Sequence, residues 1–251
     1  MKPLPVVLAL LCFAPLPTFA ASPAGPVVVG EFPLTAADAA GVIPAPWAVE
    51  RFDKGVAATT YRLRQWDGVN AVEATAEHAM AVLVRPVEVD LAATPVLCWR
   101  WRVDATIARA DIHTRAGDDY AARVYLMFRV EPRHLGFGVR TQLALARAVR
   151  GASVPDAAIN YVWDHASPVG TLVPNAYTDR AMMWVLQSGD SGAGRWTSER
   201  RDVLADFRKA FGHPPARLFA LALATDTDQT GGSARGGFAD LRFVAADQPC
   251  S

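Results

Sequence analysis

The sequence predicts an all-β fold in which short strands pack as a sandwich or close as a barrel. Apolar residues occupy every second position in two segments, Trp99–Val103 and Arg123–Val130. In the first segment both tryptophans therefore lie on one side. Alternation of period two is typical of a strand with one buried face. Gly, Pro, Asn and Asp separate most of the other apolar runs, and many short strands joined by turns favour a sandwich or a barrel.

The remaining strand candidates are apolar runs bounded by turn residues. They are Val27–Phe32, Thr59–Gln65, Val69–Ala74, Ala81–Val89, Pro95–Val103, Ile159–Trp163, Ala181–Gln187, Arg195–Val203, Leu218–Thr225 and Phe238–Val244. Within the strand that ends at Val103, alternation predicts that Trp99 and Trp101 face the core. Arg100 and Arg102 are then predicted to face away from it.

Two segments break the alternation and are predicted to contain helix. Leu204, Phe207 and Phe211 follow one another at i, i+3 and i+7, which gives one apolar stripe. Gly212 and two prolines come next, so a short helix is expected near 204–211. The stretch 134–151 also has apolar residues at helical spacing and is predicted to be a helical insertion.

The first residues have the three parts of a secretory signal peptide. A positive start at Lys2 precedes an apolar run from Leu4 to Phe13, and Thr18-Phe19-Ala20 forms a small-x-small cleavage site. A transmembrane anchor is the alternative, but the run is shorter than the roughly 20 apolar residues that a span needs. We expect a signal peptide over 1–20, a flexible lead-in over 21–26 and a single β-sandwich domain over 27–251. The protein is then periplasmic or secreted.

Charge and cysteine content limit the possible binding partners and the possible cellular compartment. The chain has 25 basic and 25 acidic residues without a basic block, which argues against nucleic acid as a partner. After the leader, no segment is long and apolar enough to be a transmembrane span. Cys98 and Cys250 are the cysteines that follow the leader. They could pair in an oxidising compartment, or remain a buried thiol and a thiol in a frayed tail.

A set of short motifs extends over nearly all of the chain after the leader. They are Trp99–Val103, Gly117–Tyr125, Asn160–Trp163, Pro174-Asn175, Arg201–Val203 with Phe211-Gly212, Ala224–Thr230, Ala234 and Ala239–Leu241. As a set they resemble a bacterial secreted family, domain of unknown function 3047. The family name implies no activity. Gln229 stands where that family is expected to have Asn.

The layout also resembles that of jelly-roll carbohydrate-binding modules. Those modules often begin with a strand that ends in Phe-Glu or a similar pair, and they end with an Asp just inside the last strand. Glu31-Phe32 and Asp240 are the matching residues here. The resemblance implies a jelly-roll-like antiparallel β-sandwich. Because the first and last strands adjoin in many jelly rolls, Glu31 and Asp240 are predicted to share a structural Ca²⁺.

Two acidic segments are candidates for a ligand site. Asp118 and Asp119 form a turn before the strand that carries Arg123, and an arginine paired with a carboxylate suits a ligand cleft. A structural ion pair at a strand end fits the pattern equally well. Asp226 and Asp228 follow a very apolar strand and could bind Ca²⁺ or sugar hydroxyls. Turn chemistry favours the alternative in which they cap backbone N–H groups.

Tyr161 and Trp163 complete the predicted ligand-binding set, because they share one face of a strand between Asn160 and Asp164. Exposed aromatic faces stack on sugar rings, although packing in the core is the commoner role of such residues. No catalytic residue is predicted. The five histidines are scattered without metal-ligand spacing, and the sequence has neither a Gly-x-Ser-x-Gly elbow nor a Gly-rich phosphate loop.

Three functions remain open at this stage. The first is a non-catalytic binding domain of the periplasm or cell envelope, with carbohydrate or a glycan-like polymer as its ligand. The second is a glycan hydrolase or lyase that uses paired carboxylates. The third is a structural or assembly protein of the envelope, whose protein partner the sequence does not name. An enzyme requires a cleft with two facing carboxylates, and a scaffold requires an exposed apolar patch.

Removal of the leader is directly testable. Mass spectrometry of the protein produced with its own leader is expected to show an N-terminus at Ala21, since the small-x-small site ends at Ala20. Protein that still begins at Met1 in the periplasmic fraction would contradict this prediction.

Overall fold

The computed structural model describes residues 25–34 and 41–250, and these residues form two packed β-sheets with two α-helices. The predicted leader, 1–20, and residues 21–24 of the predicted lead-in lie outside these ranges. The strands are β1 (Val27–Gly30), β2 (Ala48–Glu50), β3 (Thr60–Trp66), β4 (Val69–Glu77), β5 (Val82–Val89), β6 (Val96–Val103), β7 (Ala122–Arg129), β8 (Ala157–Asp164), β9 (Leu172–Asn175), β10 (Thr178–Ser188), β11 (Thr197–Asp202), β12 (Arg217–Ala224) and β13 (Ser233–Val244). The helices are α1 (Phe137–Arg150) and α2 (Val203–Phe211).

The two sheets confirm the all-β, jelly-roll-like sandwich. One sheet has the order β11-β6-β13-β4-β3, with β1 also paired to β13, and the other has the order β2-β5-β12-β7-β8-β10-β9. The chain passes from one sheet to the other before β2, β3, β5, β6 and β7, and later before β11, β12 and β13. Strands close in the sequence therefore face each other across the core.

Among the named strands, one pair departs from a purely antiparallel arrangement. β8 and β10 pair in parallel, with Tyr161 beside Trp184, whereas an antiparallel sandwich was predicted. Parallel neighbours need a connection that returns to the end where the first strand began. The segment between Asp164 and Thr178 provides this return, and it adds β9 along the outer edge of β10.

The strands that the sequence did not predict lie at the ends of the seven-stranded sheet. β2 has three residues and β9 has four, and each pairs with one neighbour only. Alternation cannot be recognised over so few residues. Pro174 in β9 has no N–H to donate, which suits an edge strand.

An aromatic layer joins the inner faces of the two sheets. Trp99 and Trp101 on β6 are fully buried, as alternation predicted. The Trp99 ring stacks on Tyr161 with centroids 5.4 Å apart, and Trp101 lies 5.9 Å from Trp163. The expectation that Tyr161 and Trp163 stack on a sugar is therefore wrong, because both rings are buried in this layer.

The arginines of β6 point away from the core, as predicted. Arg100 forms an ion pair with Asp240. Arg102 is nevertheless buried, because its guanidinium lies 4.1 Å from the centre of the Trp66 ring and binds Asp67. A second layer of side chains thus covers the outer face of this sheet.

Both helix predictions are confirmed. α1 lies within 134–151, and α2 ends one residue before Gly212, which adopts a left-handed conformation with φ 76°. The Asp202 side chain caps α2 by accepting a hydrogen bond of 2.8 Å from the Ala205 N–H. The α2 helix inserts Val203 and Phe207 into the core.

The structure also decides between the two states left open for the cysteines. Cys98 on β6 forms a disulfide with Cys250, and their Cα atoms are 5.6 Å apart, within the usual range for such a bond. The bond closes a loop with a sequence separation of 152 residues.

Truncation of a core tryptophan should be costly. Trp101→Ala is expected to lower the free energy of unfolding by about 3–5 kcal/mol, the usual cost of removing a buried aromatic ring. Phe137→Ala is the control, since this ring is 79% exposed and its loss should change stability by no more than about 0.5 kcal/mol. Denaturant titration measures both values. Equal stability of the two variants would mean that β6 presents its other face to the core.

Candidate functional site

A cavity of about 560 Å³ lies on the outer face of the seven-stranded sheet. Arg123, Tyr125 and Asn160 line it, and they alternate along β7 and β8 with residues that enter the core. Their side chains consequently point away from the core and into the cavity. The complete lining is Phe52, Asp53, Val56, Met80, Asp118, Arg123, Tyr125, Pro155, Asn160, Asn175, Tyr177, Thr178, Ala181, Asp226, Asp228 and Gln229.

A buried ion pair forms one wall of the cavity. The Arg123 guanidinium lies 2.8 Å from the Asp226 carboxylate, and both side chains are 2% exposed. Arg123 also donates to the Asp118 backbone carbonyl at 3.0 Å and to the Tyr125 hydroxyl at 2.6 Å. The guanidinium lies over the Tyr120 ring, 4.4 Å from its centre. The pair joins the start of β7 to the loop that follows β12.

Burial and the neighbouring charges shift the pKa values of both members of this pair. Burial raises the pKa of Asp226 well above its usual range, and Asp119 and Asp118 raise it further, while Arg123 opposes the shift. Burial alone would lower the pKa of Arg123, but Asp226 and the neighbouring groups hold it well above its usual value. Arg123 is therefore a fixed positive charge among several carboxylates.

Asp119 organises the loop that carries Asp226 and Asp228. One of its carboxylate oxygens accepts hydrogen bonds from the Thr230 N–H at 2.6 Å and from the Thr230 hydroxyl at 2.7 Å. The carboxylates that pair with Arg123 are Asp118 and Asp226, so Asp119 is not the partner of the arginine. This capping role agrees with the alternative in which the aspartates hold turns.

Asp228 is the most open carboxylate of the loop. Its Oδ2 accepts from the Gln229 side chain, whereas its Oδ1 has no hydrogen-bond partner within residues 25–34 and 41–250. Burial raises the pKa of Asp228, and Asp119 raises it further. Asp119, Asp226 and Asp228, here called the acidic cluster, offer carboxylate oxygens that lie within 4.8 Å of one another.

Sequence reasoning missed Asn160 in the interior of the site, as it missed Phe52 and Tyr177 at the rim. The Asn160 side chain is 1% exposed, yet neither its amide nitrogen nor its amide oxygen has a hydrogen-bond partner in the described part of the chain. The signal was present in β8. Once Tyr161 and Trp163 are placed in the core, period two puts Asn160 on the opposite face, where it meets Tyr125 on the neighbouring strand.

The rim of the cavity combines an amide and two exposed aromatic rings. Asn175 donates to the Asp118 carboxylate at 3.1 Å. Tyr177 is 51% exposed and Phe52 is 61% exposed. Both rings border the cavity. Of the seven predicted ligand residues, Asp118, Asp119, Arg123, Asp226 and Asp228 come together at this place, whereas Tyr161 and Trp163 do not.

The predicted metal pair, Glu31 and Asp240, does not have the geometry expected of a shared cation site. Each carboxylate binds its own arginine: Glu31 binds Arg242 at 3.0 Å, and Asp240 binds Arg100. Each of these two carboxylates is thus paired with a guanidinium of its own, and neither acid belongs to the acidic cluster. Asp240 lies at a bulge of β13 with φ 56°, which aims its side chain at Arg100 rather than at the first strand.

The opposite sheet packs closely against the strand ends that carry the ion pair. Gly236 on β13 lies so close to β7 and β12 that an added Cβ atom would be 2.5 Å from the Ala121 carbonyl oxygen and 2.7 Å from the Thr225 hydroxyl. That hydroxyl donates to the same carbonyl at 2.8 Å. Since Ala121 and Thr225 directly precede β7 and Asp226, a residue larger than glycine would displace the ion pair.

Fold and cavity together define a β-sandwich protein with a polar, concave site on the outer face of one sheet. The chain belongs to the family described as Protein of unknown function (DUF3047), which matches residues 45–242, and the predicted resemblance is thereby confirmed. Among curated proteins, none matches the chain significantly. Within the described residues, no helix combines the length and apolar character needed to cross a membrane.

Three solved structures share part of the layout at very low identity. A family 11 carbohydrate-binding module of the cellulase Lic26A-Cel5E of Clostridium thermocellum has 9% identity and a TM-score of 0.41 over 90% of this chain and 97% of the module. The xyloglucanase domain of NopAA from Sinorhizobium fredii has 8% identity and a TM-score of 0.38 over 80% and 98%. Endoglucanase 3 of Trichoderma harzianum, from family GH12, has 9% identity and a TM-score of 0.37 over 80% of this chain and 100% of the endoglucanase chain. Similarities at this level say nothing about the ligand of this chain.

Removal of the buried arginine should destabilise the protein more than removal of an arginine in a partly exposed ion pair. Arg123→Met leaves Asp226 buried without its partner, which is expected to lower the free energy of unfolding by about 3–5 kcal/mol. Arg242→Met is the control, because the Glu31 that it pairs with is half exposed and such pairs contribute about 0–1 kcal/mol. Chemical denaturation measures both.

A double variant separates charge from packing. Combining Arg123→Met with Asp226→Leu removes both buried charges, and most of the lost stability should return. A double variant no more stable than Arg123→Met alone would show that the loss comes from packing and not from an unpaired carboxylate.

Proposed function

We propose that this protein is a non-catalytic domain of the periplasm or cell envelope that binds a carbohydrate in the cavity beside Asn160. The observation that carries the proposal is the buried Asn160 side chain, whose donor and acceptor are both without a partner in the described chain. A buried polar group left in this state costs about 1–3 kcal/mol. A ligand hydroxyl both donates and accepts hydrogen bonds, so adjacent hydroxyls can satisfy both atoms of the amide.

The dimensions and the lining of the cavity suit a small part of a glycan. Its volume of about 560 Å³ falls within the range of small-molecule sites, which is about 300–1,000 Å³. Tyr177 and Phe52 offer exposed aromatic faces at the rim, where the C–H face of a sugar ring can bury apolar surface. Asp118 and Gln229 add further hydrogen-bonding groups to the lining.

The charge of the cavity narrows the class of glycan. Asp118, Asp226 and Asp228 line it together with one buried cation, Arg123, which already pairs with two of these acids. An acidic polymer would bring further negative charge to the carboxylates, and like charges brought together in an interface cost binding free energy. We therefore expect a neutral glycan.

The state of the carboxylates favours binding over hydrolysis. Glycoside hydrolysis uses two carboxyl groups, one as the acid and the other as the base or nucleophile, on the two sides of the scissile bond. Asp226 is engaged by Arg123, and Asp119 is engaged by Thr230. Asp118 accepts hydrogen bonds from Asn175. Asp228 alone among these four keeps a carboxylate oxygen without a partner in the described chain, and a single free carboxylate does not make a catalytic pair.

The disulfide supports the compartment named in the proposal. Disulfides persist mainly in oxidising surroundings such as the bacterial periplasm and the extracellular space. The bond between Cys98 and Cys250 is consistent with export after cleavage of the leader. The mass of the mature N-terminus, described above, is the direct test of this part.

A substitution at Asn160 should separate binding from stability. Asn160→Leu replaces an unpaired amide by an apolar group of similar size, so the free energy of unfolding is expected to rise by about 1–3 kcal/mol. Affinity for the glycan is expected to fall at least tenfold, a change of about 1.4 kcal/mol. An array of neutral and acidic oligosaccharides identifies the ligand, and titration calorimetry with that oligosaccharide measures the change.

Asn70→Leu is the matched control, because Asn70 is exposed on β4 in the other sheet and its loss should leave affinity unchanged. Two results would contradict the proposal. One is the absence of binding to every oligosaccharide of the array, and the other is an Asn160→Leu variant that binds as well as the natural protein.

A further inference from the structure

We propose that the acidic cluster, Asp119, Asp226 and Asp228, is a binding site for a divalent cation of the Ca²⁺ type. Oxygen ligands of Ca²⁺ lie about 2.3–2.6 Å from the ion, so two of them are at most about 5 Å apart. The three residues each offer a carboxylate oxygen, and these oxygens lie within 4.8 Å of one another. The three carboxylates are therefore close to the spacing at which they can surround one ion.

The hydrogen bonds of the cluster leave lone pairs for an ion. A carboxylate has about four acceptor positions on its two oxygens. Asp119 receives its two short hydrogen bonds on a single oxygen, and its other oxygen accepts only a long contact of 3.4 Å from the Gln229 N–H. Asp226 accepts one bond from the Tyr120 N–H at 3.2 Å and one from Arg123. Oδ1 of Asp228 has no partner within the described residues.

The negative charge of the acidic cluster provides the driving force for binding a cation. In the described part of the chain, the salt bridges to Asp118 and Asp226 come from Arg123, and neither Asp119 nor Asp228 has one. The cluster and Asp118 therefore carry more negative charge than the single guanidinium neutralises. Carboxylates this close together and shielded from water repel one another strongly unless a proton or a cation intervenes.

A second observation, independent of the acids, also points to a ligand at this place. Asn160, which is 99% buried, directs an unpartnered amide into the cavity that Asp226 and Asp228 line. The cation site and the amide then open into the same cavity, where a bound ion could also contact ligand hydroxyls.

The test uses the cation alone, without a glycan. The thermal midpoint of the purified protein is compared in EDTA and in CaCl₂, and calorimetric titration with CaCl₂ gives the dissociation constant. A ligand that binds only the folded state raises the midpoint, by about 5–10 °C at a hundredfold excess over the dissociation constant. Asp228→Asn keeps the shape of the side chain and removes its charge, so this rise and the calorimetric signal should be lost.

Asp240→Asn is the matched control, because Asp240 pairs with Arg100 outside the cluster, and its rise in CaCl₂ should equal that of the natural protein. Equal midpoints of the natural protein in EDTA and in CaCl₂, with no calorimetric signal, would overturn the inference. An undiminished rise in Asp228→Asn would overturn it as well. Since no glycan is present, the inference can fail while the proposed function holds, and the reverse.

Discussion

A guanidinium and a carboxylate, both withdrawn from water, meet where β7 begins and β12 ends, and the site takes its shape from that contact. Arg123 reaches from β7 to Asp226 and also holds the Asp118 turn through its backbone carbonyl. A buried charge without its partner is very unfavourable, so the two strand ends keep one relative position. A buried pair adds little net stability compared with apolar residues. The pair is better explained by the relative position of the two strand ends, which it fixes. Gly236 allows the opposite sheet to pack closely against these strand ends.

Much of the fold could be predicted from the sequence, because its main strands have one face in the core. In β6 the alternation placed Trp99 and Trp101 correctly, and in α2 the spacing and Gly212 located the helix. The edge strands β2 and β9 were missed, since they are too short to show a period. The parallel pairing of β8 with β10 depends on the path of a loop, and no local pattern records it.

The site could be predicted only in part, because its local signals are readable in the sequence but its long-range contacts are not. Strand ends followed by aspartates could be recognised locally, but the meeting of Asp118 with Asp226 requires β7 and β12 to be neighbours across more than a hundred residues of sequence. Tyr161 and Trp163 were misplaced because β8 is covered on both faces, so polarity does not tell which face is the core. The amide of Asn160 looked unremarkable until the structure showed that nothing in the described chain binds it.

The bond between Cys98 and Cys250 encloses β7 to β13 in one covalent ring, and both loops of the site lie inside it. Exposed connections also lie inside the ring, among them residues 151–153 after α1. A protease that cuts the chain once at such a connection produces two fragments that stay joined through the disulfide. The strands on either side of the cut remain paired with uncut neighbours. A single nick therefore does not release the pieces that form the cavity, which would matter in the protease-exposed compartment proposed for this protein.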